Sequence, residues 1–133
     1  MDNLELVRAI YANWERGNWS SVWWAHPDIE YVMVDEPGAE VHRGLEAMGQ
    51  GWRAFLSAWE DYRVEALEYR RIDEERVLVS LVAQGRGRGS GVGLEESARA
   101  PGANVFVIRD GRVVRLDAYF LLANALADLG LDA

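Results

Sequence analysis

The sequence contains no cysteine and no lysine, and each absence excludes a class of chemistry. Without cysteine there is no thiol nucleophile, no disulfide and no cysteine-ligated metal. Because all 14 basic residues are arginine, no lysine can form a Schiff base with a carbonyl substrate. Covalent catalysis by a thiol or by a lysine amine is therefore excluded.

The chain also lacks a long apolar run and an excess of positive charge. No segment approaches the ~20 apolar residues of a membrane span, and the start of the chain lacks the basic and apolar regions of a signal peptide. With 22 acidic against 14 basic residues the formal charge is -8, which repels nucleic acid phosphates and anionic membranes. We therefore predict a cytoplasmic protein that binds neither nucleic acid nor membranes.

Length and composition fit one folded unit. A chain of 133 residues, 50% of them hydrophobic, favours a single packed domain spanning residues 1–133. The patterns predict helices over 4–16, 19–25 and 45–60, strands over 29–35, 62–72 and 76–84, a strand from Val92 that is interrupted at 101–102, and a final hairpin followed by a short helix. This order predicts an α+β fold with helices packed on one face of a curved antiparallel sheet.

The last third of the chain carries the strongest local signal. Asp110-Gly111 separates two arms rich in β-branched and aromatic residues, which predicts a hairpin with a tight turn. The first arm, 105–108, is apolar on both faces and needs cover on both, for which we expect the chain's own helices and a partner subunit. The second arm alternates and predicts two faces, one with Val114, Leu116, Ala118 and Phe120 and the other with Arg115, Asp117 and Tyr119.

Large aromatic side chains recur at helical spacing. Trp14 belongs to the stripe of the first helix, and the stripe of the third helix holds Met48, Trp52, Phe55, Leu56 and Trp59. Such a stripe commonly packs a core. With Tyr31, Met33 and Phe120 opposite, the same side chains could instead enclose a cavity for a flat apolar molecule. Both interpretations remain open at the level of sequence.

Three segments together carry a family resemblance. They are Gly17-Asn18-Trp19 through His26-Pro27-Asp28-Ile29-Glu30-Tyr31, the glycine-rich run 85–92, and Arg109-Asp110-Gly111-Arg112-Val113-Val114-Arg115 with Ala125-Leu126 and Leu129-Gly130-Leu131. In this order and spacing they resemble the SnoaL-like branch of the nuclear transport factor 2-like superfamily over nearly the whole chain. The resemblance implies a cone-shaped α+β barrel, with a bent antiparallel sheet around a long helix and a pocket at the open end. It also implies a homodimer through the outer sheet face. It implies no single function, because members include polyketide cyclases, ketosteroid isomerases and epoxide hydrolases.

The resemblance to the steroid isomerases points to Asp35 as a general base. Strand alternation would then turn Tyr31, Met33 and Asp35 toward the pocket. A carboxylate at the mouth of an apolar cavity has a raised pKa and could move a proton next to a carbonyl. The match requires a one-residue gap, so Glu36 is the alternative base. An ordinary acidic turn before Pro37 is the structural alternative.

The partners that each family chemistry needs are incomplete in this sequence. Steroid isomerases hold the developing enolate oxygen with a tyrosine and a protonated acid, and the positions that resemble these are Ile10 and Ala103. The polyketide cyclases use an aspartate and a histidine at positions that here read as Leu121 and Asn104. Neither reaction is expected by its usual route, although Asn104 could orient a carbonyl.

Two charged features have structural interpretations. The epoxide hydrolases of the superfamily use an Asp-Arg-Asp set, for which Arg115 and Asp117 are the nearest pair, but both fall on the face opposite Leu116 and are expected at the surface. His26 and His42 have no acidic residue at metal-ligand spacing, so no metal is predicted.

The glycine-rich segment 85–93 lacks the phosphate-loop pattern, and no helix follows to present its amides. We predict a glycine-rich hairpin, with an anion contact at Arg86 or Arg88 left open.

The sequence thus predicts a cone with an apolar, aromatic-lined pocket for a small hydrophobic ligand, without a cofactor or a metal. The predicted substrate-binding residues are Trp14, Met33, Trp52, Phe55, Trp59 and Phe120. If the protein is an enzyme, Asp35 is the base, and Tyr31 and Asn104 orient an oxygen. The alternative is a non-catalytic binding protein or a dimeric association module whose cone is filled by its own side chains.

Overall fold

The computed structural model describes residues 1–87 and 100–132. The elements are α1 (Asn3–Glu15), β1 (Ala25–Met33), β2 (His42–Arg43), α2 (Leu45–Ser57), β3 (Trp59–Arg71), β4 (Arg76–Gly87), β5 (Gly102–Arg109), β6 (Arg112–Tyr119) and α3 (Leu122–Leu129). The strand predicted from Val92 lies outside the described residues. In the described part of the chain, no helix is long and apolar enough to cross a membrane.

The described strands form one sheet in the order β2-β1-β6-β5-β4-β3. Strand β1 runs parallel to β6, with Tyr31 opposite Leu116 and Met33 opposite Ala118, whereas the other neighbouring pairs are antiparallel. Strands β2 and β3 are the two edges, so the sheet curves without closing. Helices α1 and α2 pack on its inner face. The predicted α+β cone is confirmed.

Helix α1 forms the centre of the core. Asp2 caps the helix by accepting a 2.8 Å hydrogen bond from the backbone N–H of Glu5, and the spacing of these two acidic residues in the sequence is that of a capping box. The chain turns away at Gly17, whose φ of +80° suits the left-handed residue that follows a helix. The buried stripe of α1 consists of Leu6, Val7, Ile10, Tyr11 and Trp14.

The C-terminal hairpin forms as predicted. Asp110 and Gly111 turn the chain with φ angles of +51° and +76°, the two positive values that a tight hairpin turn requires. A bulge in the pairing of β5 with β6 then shifts the alternation of side chains. As a result Val113, rather than the predicted Val114, joins Leu116 in the inner core.

The doubly apolar strand β5 is covered on both faces within one chain. Phe106 and Ile108 lie in the core under α1, whereas Ala103 and Val105 pack with the fully buried Ala125 of α3. Helix α3 therefore supplies the cover that we expected from a partner subunit at this strand. The homodimer stays a prediction, but the apolar strand β5 is no longer an argument for it.

The segment 19–24 forms turns instead of the predicted short helix. The indole N–H of Trp24 donates a 3.0 Å hydrogen bond to the carbonyl oxygen of Ser21, and β1 already begins at Ala25. A helix of seven residues gains little on its own, whereas this turn buries the Trp24 ring to 1% exposure. Burial of one large ring therefore overrides the local helical signal.

Helix α2 ends three residues earlier than predicted. The hydroxyl of Ser57 donates to the carbonyl oxygen of Ala54 at 2.9 Å, which satisfies a carbonyl of the last turn. Trp59 is therefore the first residue of β3, paired with Gly87 of β4, and it does not belong to the helical stripe. Its ring still lies on the same side of the sheet as α2, 6.5 Å from the ring of Phe55.

Candidate ligand-binding cavity

A cavity lies between helices α1 and α2 and the inner face of the sheet. Its volume is about 140 Å³, close to the ~150 Å³ of an engineered apolar cavity that takes benzene. The described residues that line it are Trp14, Trp19, Tyr31, Met33, Trp52, Phe55, Leu56, Trp59, Tyr62, Val64, Leu81, Ala83, Ala100, Gly102, Asn104, Leu116, Ala118, Tyr119 and Phe120. Most of these side chains are aromatic or aliphatic, so the cavity suits an apolar occupant about the size of one ring.

Tryptophan rings build the helical wall of the cavity. Trp14 stacks on Trp19 with 5.3 Å between ring centroids, and Trp24 stacks on Trp52 at 5.9 Å. Trp14 and Trp52 meet edge to face at 5.5 Å, a favoured arrangement of aromatic rings. The indole nitrogen of Trp14 is buried and has no hydrogen-bond partner among the described residues. The aromatic stripe therefore packs as a core and leaves a cavity beside it.

The side chains predicted to bind substrate all line this cavity, namely Trp14, Met33, Trp52, Phe55, Trp59 and Phe120. Phe55 lies 6.4 Å from Phe120 and 6.5 Å from Trp59, measured between ring centroids. Because Phe120 is 45% exposed, these three rings mark the open end. The structure brings the six residues together, and their role in binding stays a prediction.

Two tyrosine hydroxyls add polarity to the apolar wall. Tyr31 lies on β1 and Tyr62 on β3. Burial raises the pKa of Tyr31 to about 12, and the negative charge of Glu36 adds to this effect. Burial also raises the pKa of Tyr62, with a smaller contribution from Tyr31. Both hydroxyls therefore stay protonated at neutral pH and can donate hydrogen bonds. Tyr62 was not among the predicted site residues, although strand alternation with the buried Val64 would have indicated it.

Asn104 presents an amide to the same cavity. Its Nδ2 donates a 2.7 Å hydrogen bond to the hydroxyl oxygen of Tyr11, which is fully buried on α1. Ile10 and Ala103, the positions that the steroid isomerases suggested, are also fully buried and apolar. The polar pair lies one residue later in each element. Nothing in the sequence marked the Tyr11 hydroxyl as the partner of Asn104.

Asp35 lies in the turn after β1 and is not among the described residues that line the cavity. Its carboxylate accepts hydrogen bonds from the backbone N–H of Phe120 at 2.8 Å, the backbone N–H of Leu121 at 3.1 Å and Nδ2 of Asn124 at 2.9 Å. Burial raises the pKa of Asp35, but these hydrogen bonds outweigh it and hold the pKa below its usual value. The geometry favours a structural role that joins the end of β1 to the start of α3. Glu36 does not line the described cavity either.

Asp117 belongs to a charged network away from the cavity. Arg115 donates from Nε to Asp117 at 2.8 Å and from Nη1 to Glu30 at 3.2 Å, and Glu30 also binds Arg43. Burial raises the pKa of Asp117, and Arg115 offsets only part of this effect. None of the four residues lines the described cavity. The charges of this network therefore do not form an epoxide-hydrolase set in the cavity.

The two histidines have separate surroundings. His26 accepts a 3.0 Å hydrogen bond at Nδ1 from the backbone N–H of Asp28, within the part of β1 where the pairing with β6 is irregular. His42 lies on β2 with its ring 5.8 Å from the ring of Tyr31. Within residues 1–87 and 100–132, no group of three or more histidine, aspartate or glutamate side chains could hold a metal ion.

The glycine-rich segment begins at the end of β4. Arg86 is paired with Glu60 of β3, and Gly87 is the last residue of the strand. Arg88 and the rest of the segment lie outside the described residues. An anion contact at either arginine therefore stays a prediction.

Solved structures share this fold. A protein of unknown function with an NTF2-like fold from Burkholderia pseudomallei is 17% identical, with 96% of each chain covered and a TM-score of 0.76. A protein from Sinorhizobium meliloti, provisionally called a polyketide cyclase, is 26% identical, with 86% of this chain and 93% of that chain covered and a TM-score of 0.60. TerC, co-crystallised with polyporic acid, is 20% identical, with 96% of each chain covered and a TM-score of 0.66.

No curated protein matches this sequence. The sequence profile of the SnoaL-like domain, in contrast, matches residues 7–116. The matched range contains most of α1, all of α2 and strands β1 to β5, and thus most of the cavity wall. The chain belongs to the SnoaL-like domain family.

Proposed function

We propose that this protein binds a small aromatic molecule in the cone cavity. The observation that carries the proposal is a cavity of about 140 Å³ with nine aromatic residues among the nineteen described residues of its wall, together with the amide of Asn104 and the hydroxyls of Tyr31 and Tyr62. Ligand sites commonly combine an apolar wall with a few polar groups that set orientation. TerC, with the same fold, was co-crystallised with polyporic acid, which is consistent with a small-molecule ligand for a protein of this fold.

The aromatic rings and the polar groups of the wall have different roles in ligand recognition. Stacking and edge contacts with Trp52 and Phe55 hold a flat ring through dispersion and burial. The hydroxyls of Tyr31 and Tyr62 donate to an oxygen on the ligand, because both stay protonated at neutral pH. The ligand class is therefore a single aromatic ring that carries an oxygen substituent.

A chemical step, where one occurs, polarises that oxygen. Tyr31 keeps its predicted role of orienting an oxygen, and Asn104 contributes its amide. Asp35 is not the proposed base, because its carboxylate accepts hydrogen bonds from the backbone N–H groups of Phe120 and Leu121 at the start of α3. No carboxylate is among the described residues of the cavity wall, so this part of the wall offers no carboxylate base for proton abstraction.

The competing function is a dimeric association module with a filled cone. The cavity beside the tryptophan cluster argues against complete filling, since the rings leave about 140 Å³ open. The two functions differ in one measurable property, because an association module does not bind small aromatic molecules.

The test is a titration of tryptophan fluorescence with phenol and with toluene, which differ by one hydroxyl in place of a methyl. Four of the six tryptophans line the cavity, so an occupant changes their emission. We expect dissociation constants between about 10 µM and 1 mM for ligands of seven heavy atoms. No saturable change with either compound, at concentrations up to their solubility, contradicts the proposal.

The substitution Ala118→Leu is expected to abolish ligand binding. Ala118 lies on β6 at the cavity wall, and a leucine there occupies the space of the ligand. The same change at the exposed Ala127 of α3 is the control, and Ala83→Leu plugs the wall from β4. Binding that survives both plugging substitutions in folded protein places the ligand elsewhere.

A further inference from the structure

The hydrogen bond between Asn104 and Tyr11 has a consequence for the ligand. Asn104 lies on β5 at the cavity wall, and its Nδ2 donates to the Tyr11 hydroxyl at 2.7 Å. Tyr11 is fully buried on α1 and is not among the described residues that line the cavity. One end of the amide is therefore held behind the wall, by a residue that the ligand does not touch.

The Tyr11 side chain is a rigid anchor for this amide. Its ring lies 5.0 Å from Trp14, 5.9 Å from Tyr69 and 6.0 Å from Phe106, measured between ring centroids, and each contact is edge to face. Burial raises the pKa of Tyr11 well above its ordinary value, so its hydroxyl stays neutral. Packed on three sides, the hydroxyl oxygen has a fixed position from which to accept the Asn104 N–H.

A planar amide held through Nδ2 leaves its carbonyl oxygen for other contacts. No described residue donates a hydrogen bond to Oδ1 of Asn104. A carbonyl oxygen accepts hydrogen bonds and cannot donate them. At this point the cavity therefore offers an acceptor, in contrast to the donor hydroxyls of Tyr31 and Tyr62.

We infer that Tyr11 is a positioning residue, which fixes Asn104 as a hydrogen-bond acceptor and thereby selects ligands that carry a hydroxyl group. The inference rests on the proposed function and narrows its ligand class from oxygen-bearing rings to phenol-like rings. A phenolic hydroxyl donates to Oδ1 of Asn104 and accepts from a tyrosine hydroxyl at the same time. An ether or a hydrocarbon of equal size cannot make the first bond.

The experiment measures the ratio of the toluene dissociation constant to the phenol dissociation constant in the wild type and in Tyr11→Phe. The substitution keeps the ring and removes the atom that anchors Asn104. Because one hydrogen bond changes affinity by about fivefold, we expect the ratio to fall about fivefold while toluene affinity stays within about twofold. An amide that loses its anchor rotates, and its acceptor is no longer fixed.

Tyr69→Phe is the matched control. Tyr69 also contacts Tyr11 edge to face, but it neither lines the described cavity nor bonds to Asn104. The double substitution Tyr11→Phe with Asn104→Asp tests rescue, because a carboxylate offers an acceptor oxygen in either orientation. We expect Tyr69→Phe to leave the ratio unchanged and the double variant to restore the preference for phenol.

The outcomes separate this inference from the proposed function. If neither compound binds the wild type, the proposed function fails, and the inference fails with it. If both bind and Tyr11→Phe leaves the ratio unchanged or raises it, the protein is still a binding protein, but Tyr11 does not fix an acceptor. Circular dichroism of each variant establishes that a lost preference comes from folded protein.

Discussion

Substitution of Asp35 distinguishes a structural carboxylate from a catalytic base. The carboxylate accepts three hydrogen bonds at the junction of β6 and α3. Leu121, the N-cap residue of α3, has no side-chain cap of its own. Asp35 instead binds the backbone N–H groups of Phe120 and Leu121, just before the helix, and the side chain of Asn124 in its first turn. Its negative charge also lies at the positive end of the helix dipole.

The expected loss can be estimated from these contacts. Hydrogen bonds to a charged group contribute about 1.5–3 kcal/mol. Because the three bonds are partly exposed, we take about 2 kcal/mol for Asp35→Ala. With an unfolding entropy of about 0.28 kcal/mol/K for a chain of this length, the melting temperature falls by about 7 °C.

The pH dependence of this loss has a definite sign. The pKa of Asp35 lies below its ordinary value in the folded protein, so the folded state favours the ionised form. The stability that Asp35 contributes is therefore complete above the unfolded pKa of about 3.9 and is lost as the pH falls through the folded pKa. The difference in stability between wild type and variant should be constant from neutral pH to about pH 5 and should shrink below pH 4.

The assay is urea denaturation of wild type, Asp35→Ala and Asp35→Asn across this pH range, together with phenol binding. Glu36→Gln is the control, because it removes the adjacent carboxylate, and Glu36 is not among the described cavity residues; it should change stability by less than about 0.5 kcal/mol. We expect Asp35→Asn to retain phenol binding. Unchanged stability together with loss of turnover of an identified substrate would refute the structural role and restore Asp35 as the base.

Two more substitutions test individual features of the fold. Gly111 has a φ of +76°, and no atom of the described residues lies within 4 Å of an added Cβ. Gly111→Ala should therefore cost about 1 kcal/mol through backbone strain alone, seen as a melting temperature lower by about 3–4 °C; an unchanged melting temperature would contradict this. Asp117→Asn should leave phenol binding unchanged. Because burial raises the folded pKa of Asp117 above 3.8, wild type should lose stability relative to this variant as pH rises from about 4. Urea denaturation at several pH values measures this difference. A wild type that gains stability relative to the variant over the same range would contradict the expectation.

Local backbone signals predicted most of the fold. Asp110-Gly111 specified the hairpin because positive φ angles are available to few other pairs, and both residues take them. Asp2 specified the start of α1 through its hydrogen bond to the N–H of Glu5. Such signals depend on neighbours in the chain, so a sequence displays them directly.

Features that depend on distant contacts escaped prediction. The helix expected at 19–25 lost to the burial of Trp24, whose ring stacks on Trp52 from another element. The side chain of Asp35 is occupied by backbone groups 85 and 86 residues away. Alternation along a strand indicates which face a residue takes, but it gives no information on which partner it finds there.

The candidate site shows the same difference between features set by local signals and features set by distant contacts. The predicted rings of α1 and α2 line the cavity because helical spacing sets the direction of their side chains, and Trp59 lines it as well although it lies on a strand. The hydrogen-bond partners of the polar residues could not be predicted from the sequence, since the hydrogen bond of Asn104 to Tyr11 joins residues 93 positions apart.

The polar groups of the described cavity wall favour recognition of a hydroxyl over removal of a proton. Tyr31 and Tyr62 hold their protons because burial raises both pKa values, and an amide such as Asn104 is neutral at every physiological pH. The described carboxylates lie elsewhere, engaged by α3 in the case of Asp35 and by Arg115 in the case of Asp117. A neutral wall favours a neutral ligand, since a charged ligand would lose its hydration in the cavity and find no opposite charge on the described wall. The proposed ligand, an uncharged phenol-like ring, is therefore consistent with the volume, polarity and charge of the described wall.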